Sequence, residues 1–296
     1  MSMAADTNEF ASRLLNAPIE EKIKWIQTDY WVHTPSTKAA FQWMEYLCRS
    51  ERSIQPVCLQ LMGDGGMGKT ATLLAFQATH PVEKCEDPLR LRRPVLFAEA
   101  KSEPSGVAGV RHAILKGAWP EATNFACTEG EVDTTLRTQS VRIVLMDELG
   151  ELTKSGAGPH RKALSELKRI SNTSRVNIVA STVSNLAHVL DVDQQFAGRF
   201  RRKIRIPVWS LSQDLLNFVF GLERNLPFPE RSSLYGSELL PWLALNGEGN
   251  TKIVIELVRL AALHALGEQS SCIKLKHLLA AKDGELPPAI ALSAVA

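Results

Sequence analysis

Gly63-Asp64-Gly65-Gly66-Met67-Gly68-Lys69-Thr70 decides the reading of this chain. It fits the phosphate-binding pattern G-x-x-x-x-G-K-[ST]. The apolar run Val57-Cys58-Leu59-Gln60-Leu61-Met62 leads into it, and a helix-compatible run from Ala71 to Ala78 leads out. A strand, a glycine-rich loop and a helix are the context such a motif needs. Glycines let successive N–H groups turn inward toward phosphate oxygens. The helix then aims its positive N-terminal end at the same anion. Residues 63–70 and Ala71 are therefore expected to hold ATP. Within them, Lys69 reaches the β- and γ-phosphates and Thr70 holds Mg²⁺.

Working outward, Ile143-Val144-Leu145-Met146 is an apolar run closed by Asp147 and Glu148. A strand buried on both faces of a parallel sheet reads this way. Downstream of a phosphate loop, Asp147 is the expected second Mg²⁺ ligand and Glu148 the carboxylate that polarises the attacking water. Asn177 to Thr182 is a third inner strand, and its polar end, Ser181 and Thr182, is expected to face the γ-phosphate. Pro94 to Ala100 reads as a further strand. Gly198-Arg199-Phe200 precedes a cationic strand on which Arg201, Lys203 and Arg205 share one face. Arg199, on the turn, is the candidate arginine for a neighbouring subunit's phosphate.

The remaining segments read as helices and connections. Pro18 to Ile26 is helical, and Ser36 caps a helix to about Cys48. Val107 to Trp119, Glu129 to Thr138, His160 to Ile170 and Leu186 to Val192 follow, with a glycine-rich turn at Thr153 to Pro159. Ser212 to Leu222, Ser237 to Ala244, Lys252 to Leu266 and Lys274 to Ala280 are four more. The expected division is a helical lead-in over 1–35, an α/β core over 36–208, a helical lid over 209–285 and a disordered tail over 286–296.

Composition sets the class. The chain has 296 residues, 45% hydrophobic and 22% charged, as in an ordinary globular protein. A net charge of +2 decides nothing about a polyanion partner. Its five Cys show no C-x-x-C spacing, so no zinc or redox pair is indicated. Free thiols fit a reducing cytoplasm. No run approaches a membrane span.

Motif order resembles the AAA+ ATPase plan: an α/β P-loop fold with a parallel sheet flanked by helices and a small C-terminal helical lid. More closely, the chain resembles the TniB/TnsC family of transposition ATPases over roughly residues 18 to 280. The matching residues are Glu20-Glu21-Lys22-Ile23, Asp29-Tyr30-Trp31-Val32, Ala100-Lys101-Ser102-Glu103-Pro104-Ser105, Leu145-Met146-Asp147-Glu148-Leu149, Gln195-Phe196-Ala197-Gly198-Arg199-Phe200, Ile206-Pro207-Val208-Trp209 and Glu256-Leu257. Two positions depart from the family. Ser181-Thr182 stands where Gly-Thr is usual, and Gly249-Asn250-Thr251-Lys252 is rearranged at the start of a lid helix.

The resemblance implies an ATPase that forms a homo-oligomer, a ring or helical filament, on double-stranded DNA. It also implies links to a DDE-type transposase and a target-selection protein. It adds Trp31, Val32 and Lys252 to the nucleotide contacts. It places DNA phosphates against pore-facing loops, which here carry Lys101, Lys154, His160, Arg161 and Lys162. The rival readings are a helicase-loader-like ATPase and a nucleotide-gated scaffold that does not hydrolyse.

Overall fold

The structure is a computed structural model. It describes residues 13–84, 91–101, 104–153, 156–185, 190 and 198–293. The chain divides into two units, 36–207 and the combination of 1–35 with 208–296.

The α/β unit is built on five strands: β1 (Leu59–Met62), β4 (Val95–Glu99), β5 (Ile143–Asp147), β6 (Asn177–Thr182) and β7 (Arg202–Arg205). They lie in the order β4-β5-β6-β1-β7, and every pair is parallel. A short antiparallel pair, β2 (Glu83–Lys84) and β3 (Leu91–Arg92), stands apart from this sheet. Crossover helices are what parallel neighbours require. They are α3 (Lys69–Ala78), α4 (Gly106–Ala118), α5 (Glu129–Thr138) and α6 (Ala157–Ser174), while α2 (Pro35–Arg49) precedes β1. β1, β5 and β6 are buried along their whole length, which explains the apolar stretches Ile143–Met146 and Ile178–Ala180. One sheet face supplies Leu96, Ala98, Val144, Met146, Ile178 and Ala180 to a core shared with α4, α5 and α6.

Two helix starts differ from expectation. α2 begins at Pro35 rather than after a Ser36 cap, because proline suits the first turn, where no donor is needed. α6 begins at Ala157, inside the expected turn. Pro159 falls in its first turn, where its missing N–H costs nothing, and His160 N makes a helical bond to Gly156 O at 3.2 Å.

The helical unit combines α1 (Ile19–Gln27) with α7 (Gln213–Glu223), α8 (Leu239–Asn246), α9 (Thr251–Gly267), α10 (Leu275–Lys282) and α11 (Pro288–Ser293). Ile23 and Ile26 of α1 share its core with Leu215, Val219, Leu243 and Val258. The lead-in thus packs with the C-terminal helices. The tail also differs from its expected disorder: α11 buries Ala289, and the Glu285 carbonyl lies 3.1 Å from His264 Nε2. Apolar Ala289 and Ile290 give those residues a face to bury. Residues 1–12 and most of the helix expected over 186–192 lie outside the described residues. Among the described residues, no helix is long and apolar enough to cross a membrane, and no His, Cys, Asp and Glu cluster forms a metal site.

Candidate nucleotide site

The loop from Gly63 to Gly68 joins the end of β1 to the start of α3. Gly66 and Gly68 have φ of 76° and 87°, where a side chain would strain the backbone. Gly68 precedes α3 without supplying a side-chain cap. The N-cap residue thus leaves the first N–H groups of this ten-residue helix without a side-chain oxygen, as an anion site needs.

Lys69 is only 5% exposed. Its Nζ donates to Gly63 O at 2.9 Å and Asp64 O at 3.0 Å. Among the described residues these hydrogen-bond partners are neutral carbonyls, so a buried ammonium lies over the loop without a directly bonded carboxylate. Burial of such a charge is unfavourable until an anion arrives. A phosphate group fits that requirement.

β5 brings the acidic pair to the same end of the sheet. Asp147 is 1% exposed and accepts from Thr70 Oγ1 at 2.6 Å through Oδ2. Its Oδ1 accepts from the Ser181 hydroxyl. That hydroxyl oxygen in turn accepts from the Glu148 amide at 3.2 Å. Glu148 is held at φ 49°, an uncommon conformation for a residue other than glycine. Burial, and then the charge of Asp147, push its carboxyl above the usual range, while Lys69 pulls it back. The Thr70 hydroxyl and the Asp147 carboxylate form a hard-oxygen pair suited to Mg²⁺, which takes few protein ligands and keeps its waters.

Thr182, beside Ser181, is held from β1. Its Oγ1 accepts from Gln60 Nε2 at 3.1 Å, and its carbonyl receives the Gly63 amide at 3.3 Å. Sequence reasoning missed Gln60. A polar side chain inside the apolar run before the loop was the available signal, and the residue is fully buried.

Arg199 stands elsewhere in the unit. Its carbonyl receives the Cys58 amide at 3.1 Å, next to the start of β1, and its guanidinium reaches Ser171 Oγ at 3.4 Å. The loop leaves the other end of β1, roughly 16 Å away at strand rise. Arg199 therefore does not join Lys69, Asp147 and Glu148 within this chain.

The residues expected at DNA are placed unequally. Lys101, Arg161 and Lys162 are exposed. His160 is 8% exposed, because it lies on the buried side of α6, and its ring has little surface for a phosphate. Lys154 lies outside the described residues. Trp31, Val32 and Lys252 belong to the helical unit. There Trp31 Nε1 donates to His33 Nδ1 at 3.0 Å, Val32 packs on Gly221, and the Lys252 amide is capped by Asn250 Oδ1 at 2.9 Å.

Solved structures share this fold. The ORC1 protein of Aeropyrum pernix, determined in complex with DNA, superposes with a TM-score of 0.61 at 18% identity, covering 88% of this chain and 69% of that one. Cdc6p of Pyrobaculum aerophilum gives 0.62 at 15% identity, with 89% and 71% covered. Domain III of the replication initiation protein DnaA of Thermotoga maritima gives 0.54 at 15%, with 87% and 95% covered. The fold is that of AAA+ P-loop NTPases. No curated protein matches the sequence significantly. The family model described as bacterial TniB protein matches residues 22–211, a span that holds the phosphate loop, the acidic end of β5, Ser181 and Arg199. The chain therefore belongs to the bacterial TniB family.

Proposed function

We propose that this TniB-family chain is an ATPase that assembles on duplex DNA and connects target selection to a DDE-type transposase. The observation that carries the reading is the convergence of Lys69, Thr70, Asp147 and Glu148 at one end of the sheet. Bound ATP with Mg²⁺ would supply a phosphoanhydride whose hydrolysis can reset an assembly. Lys69, now bonded to two loop carbonyls, would hold phosphate oxygens. Thr70 and Asp147, now bonded to each other, would hold the metal. Glu148, through a carboxylate oxygen, orients the attacking water and takes up its proton. Ser181 keeps Glu148 in register with Asp147.

Arg199 lies far from its own loop, and this supports a role at the site of a neighbouring subunit. A site completed by two chains ties assembly to the γ-phosphate. DNA contact through Lys101, Arg161 and Lys162, with Lys154, would be made to phosphates, independent of sequence and sensitive to salt. The DNA complex of the Aeropyrum pernix relative agrees with a nucleic-acid role for this fold.

The test is sedimentation and electron microscopy of the full chain with unrelated duplexes, in ATP or ADP. Assemblies should form with ATP and fall apart with ADP, and the Lys69→Ala chain should form none. Equal assembly in both nucleotides, or none on any duplex, would overturn the reading.

A further inference from the structure

β7 is the edge of the five-stranded sheet, paired only with β1. It and the residue before it carry Arg201, Arg202, Lys203 and Arg205, all exposed. Strand alternation puts Arg201, Lys203 and Arg205 on one side, each roughly 6.6 Å from the next. Arg202 turns to the other side, its guanidinium carbon 4.8 Å from the ring centroid of Trp43 on α2. Trp43 meets Tyr46 edge-on at 5.7 Å, and Tyr46 is 58% exposed. No carboxylate interrupts the chain from Arg199 to Pro207.

Charge on an edge strand deters pairing with another sheet. Four cations within five residues gather positive charge along one edge, and such a concentration of charge attracts a polyanion. Arg201, Lys203 and Arg205 form a row at alternate positions of the strand. The row presents no large apolar side chain on the Arg201 side, so it lacks the buried anchor that a protein interface is built around. A regular polyanion meets such a row along its length.

We propose that the β7 edge is a second surface for the phosphate backbone of duplex DNA. The choice of duplex DNA as the polyanion rests on the function proposed above. The surface is distinct from the loop carrying Lys101, which follows β4. β4 and β7 are the opposite edges of the sheet, four strand spacings or roughly 19 Å apart. One α/β unit thus offers cations at both edges and can hold two stretches of backbone.

The test measures duplex affinity against salt for the full chain with ATP. The variant Arg201→Gln/Lys203→Gln should lose about two units of log–log slope, equally on unrelated sequences. Arg201→Lys/Lys203→Arg keeps the charge and should keep the wild-type slope. DNA-independent ATP turnover and thermal unfolding confirm that both variants are folded. An unchanged slope in the glutamine variant, with Lys101→Ala still lowering it, overturns the second surface and leaves the functional reading intact. Precipitation of the glutamine variant with no change in slope assigns the cations to edge protection alone and also overturns the proposal. A wild-type chain that binds no duplex at any salt overturns both.

Discussion

Thr70 Oγ1 donates to Asp147 Oδ2 at 2.6 Å, joining the first turn of α3 to the last residue of β5. Two segments 77 residues apart in sequence thus share one hydrogen bond at the foot of the phosphate loop. On the other oxygen of Asp147 sits the Ser181 hydroxyl, which also holds the Glu148 amide. One hydroxyl therefore ties the Glu148 backbone to the Asp147 carboxylate.

Glu148→Gln should bind nucleotide with affinity within a few-fold of wild type and lower turnover by about 10²–10⁴-fold, the span of general-base catalysis. Single-turnover hydrolysis measured beside nucleotide binding checks it. Wild-type turnover would remove Glu148 from the mechanism.

Ser181→Ala removes the hydroxyl between Asp147 and the Glu148 amide. Losing a hydrogen bond to a charged group should cost kcat about 10- to 100-fold, with KM nearly unchanged. Ser181→Thr retains the hydroxyl and should recover most of the rate. A rise in KM at constant kcat would instead make this hydroxyl a nucleotide contact.

Stability in acid should depend on Glu166. Burial raises its carboxyl, but hydrogen bonds from Arg111 and Arg169 outweigh that and leave it below the usual range. Arg111 Nε and Arg169 Nη2 lie 2.8 and 2.9 Å from its Oε1. A carboxyl lowered by folding adds stability above its unfolded pKa, and that stability is lost as pH falls through the lowered value. Glu166→Gln should therefore lower the unfolding free energy at neutral pH, by about 3 kcal/mol for a buried pair broken on one side. The difference from wild type should shrink as the solution is acidified below pH 4. Denaturant titrations at several pH values would measure it, and a constant difference would contradict the assignment.

Arg199→Ala should leave ATP binding intact and reduce turnover on the order of 10³-fold. Mixing decides the route. Lys69→Ala subunits offer Arg199, and Arg199→Ala subunits offer a working loop. Activity should return in the mixture although neither variant shows it alone. Without recovery in co-assembled variants, Arg199 acts within its own chain or only packs on Ser171.

Much of the α/β unit was readable because its signals are local. A phosphate loop needs glycines at fixed offsets, and inner parallel strands need apolar runs, as in Ile143–Met146 and Ile178–Ala180. What escaped depends on partners distant in sequence. Gln60 makes sense only once β1 lies beside β6 and its amide reaches Thr182. The packing of Ile26 with Val258, and of Ala289 against Gly267, needs helices that no local pattern pairs. The bend of the chain that carries Arg199 to Cys58 is equally invisible in the residues around it. The resemblance puts His160 among the pore-facing residues, yet α6 has already begun there and turns it inward.

The pairing of α1 with the C-terminal helices has a kinetic consequence. The segment 36–207 is contiguous, so its sheet can close as soon as β7 has been synthesised. The helical unit cannot. Ile23 and Ile26 must wait for Leu215 and Val258, with the whole α/β segment between them. Closing that loop costs only logarithmically more as it lengthens, and an already folded segment brings its ends to fixed places. The order of synthesis therefore favours the α/β unit first and the helical unit last.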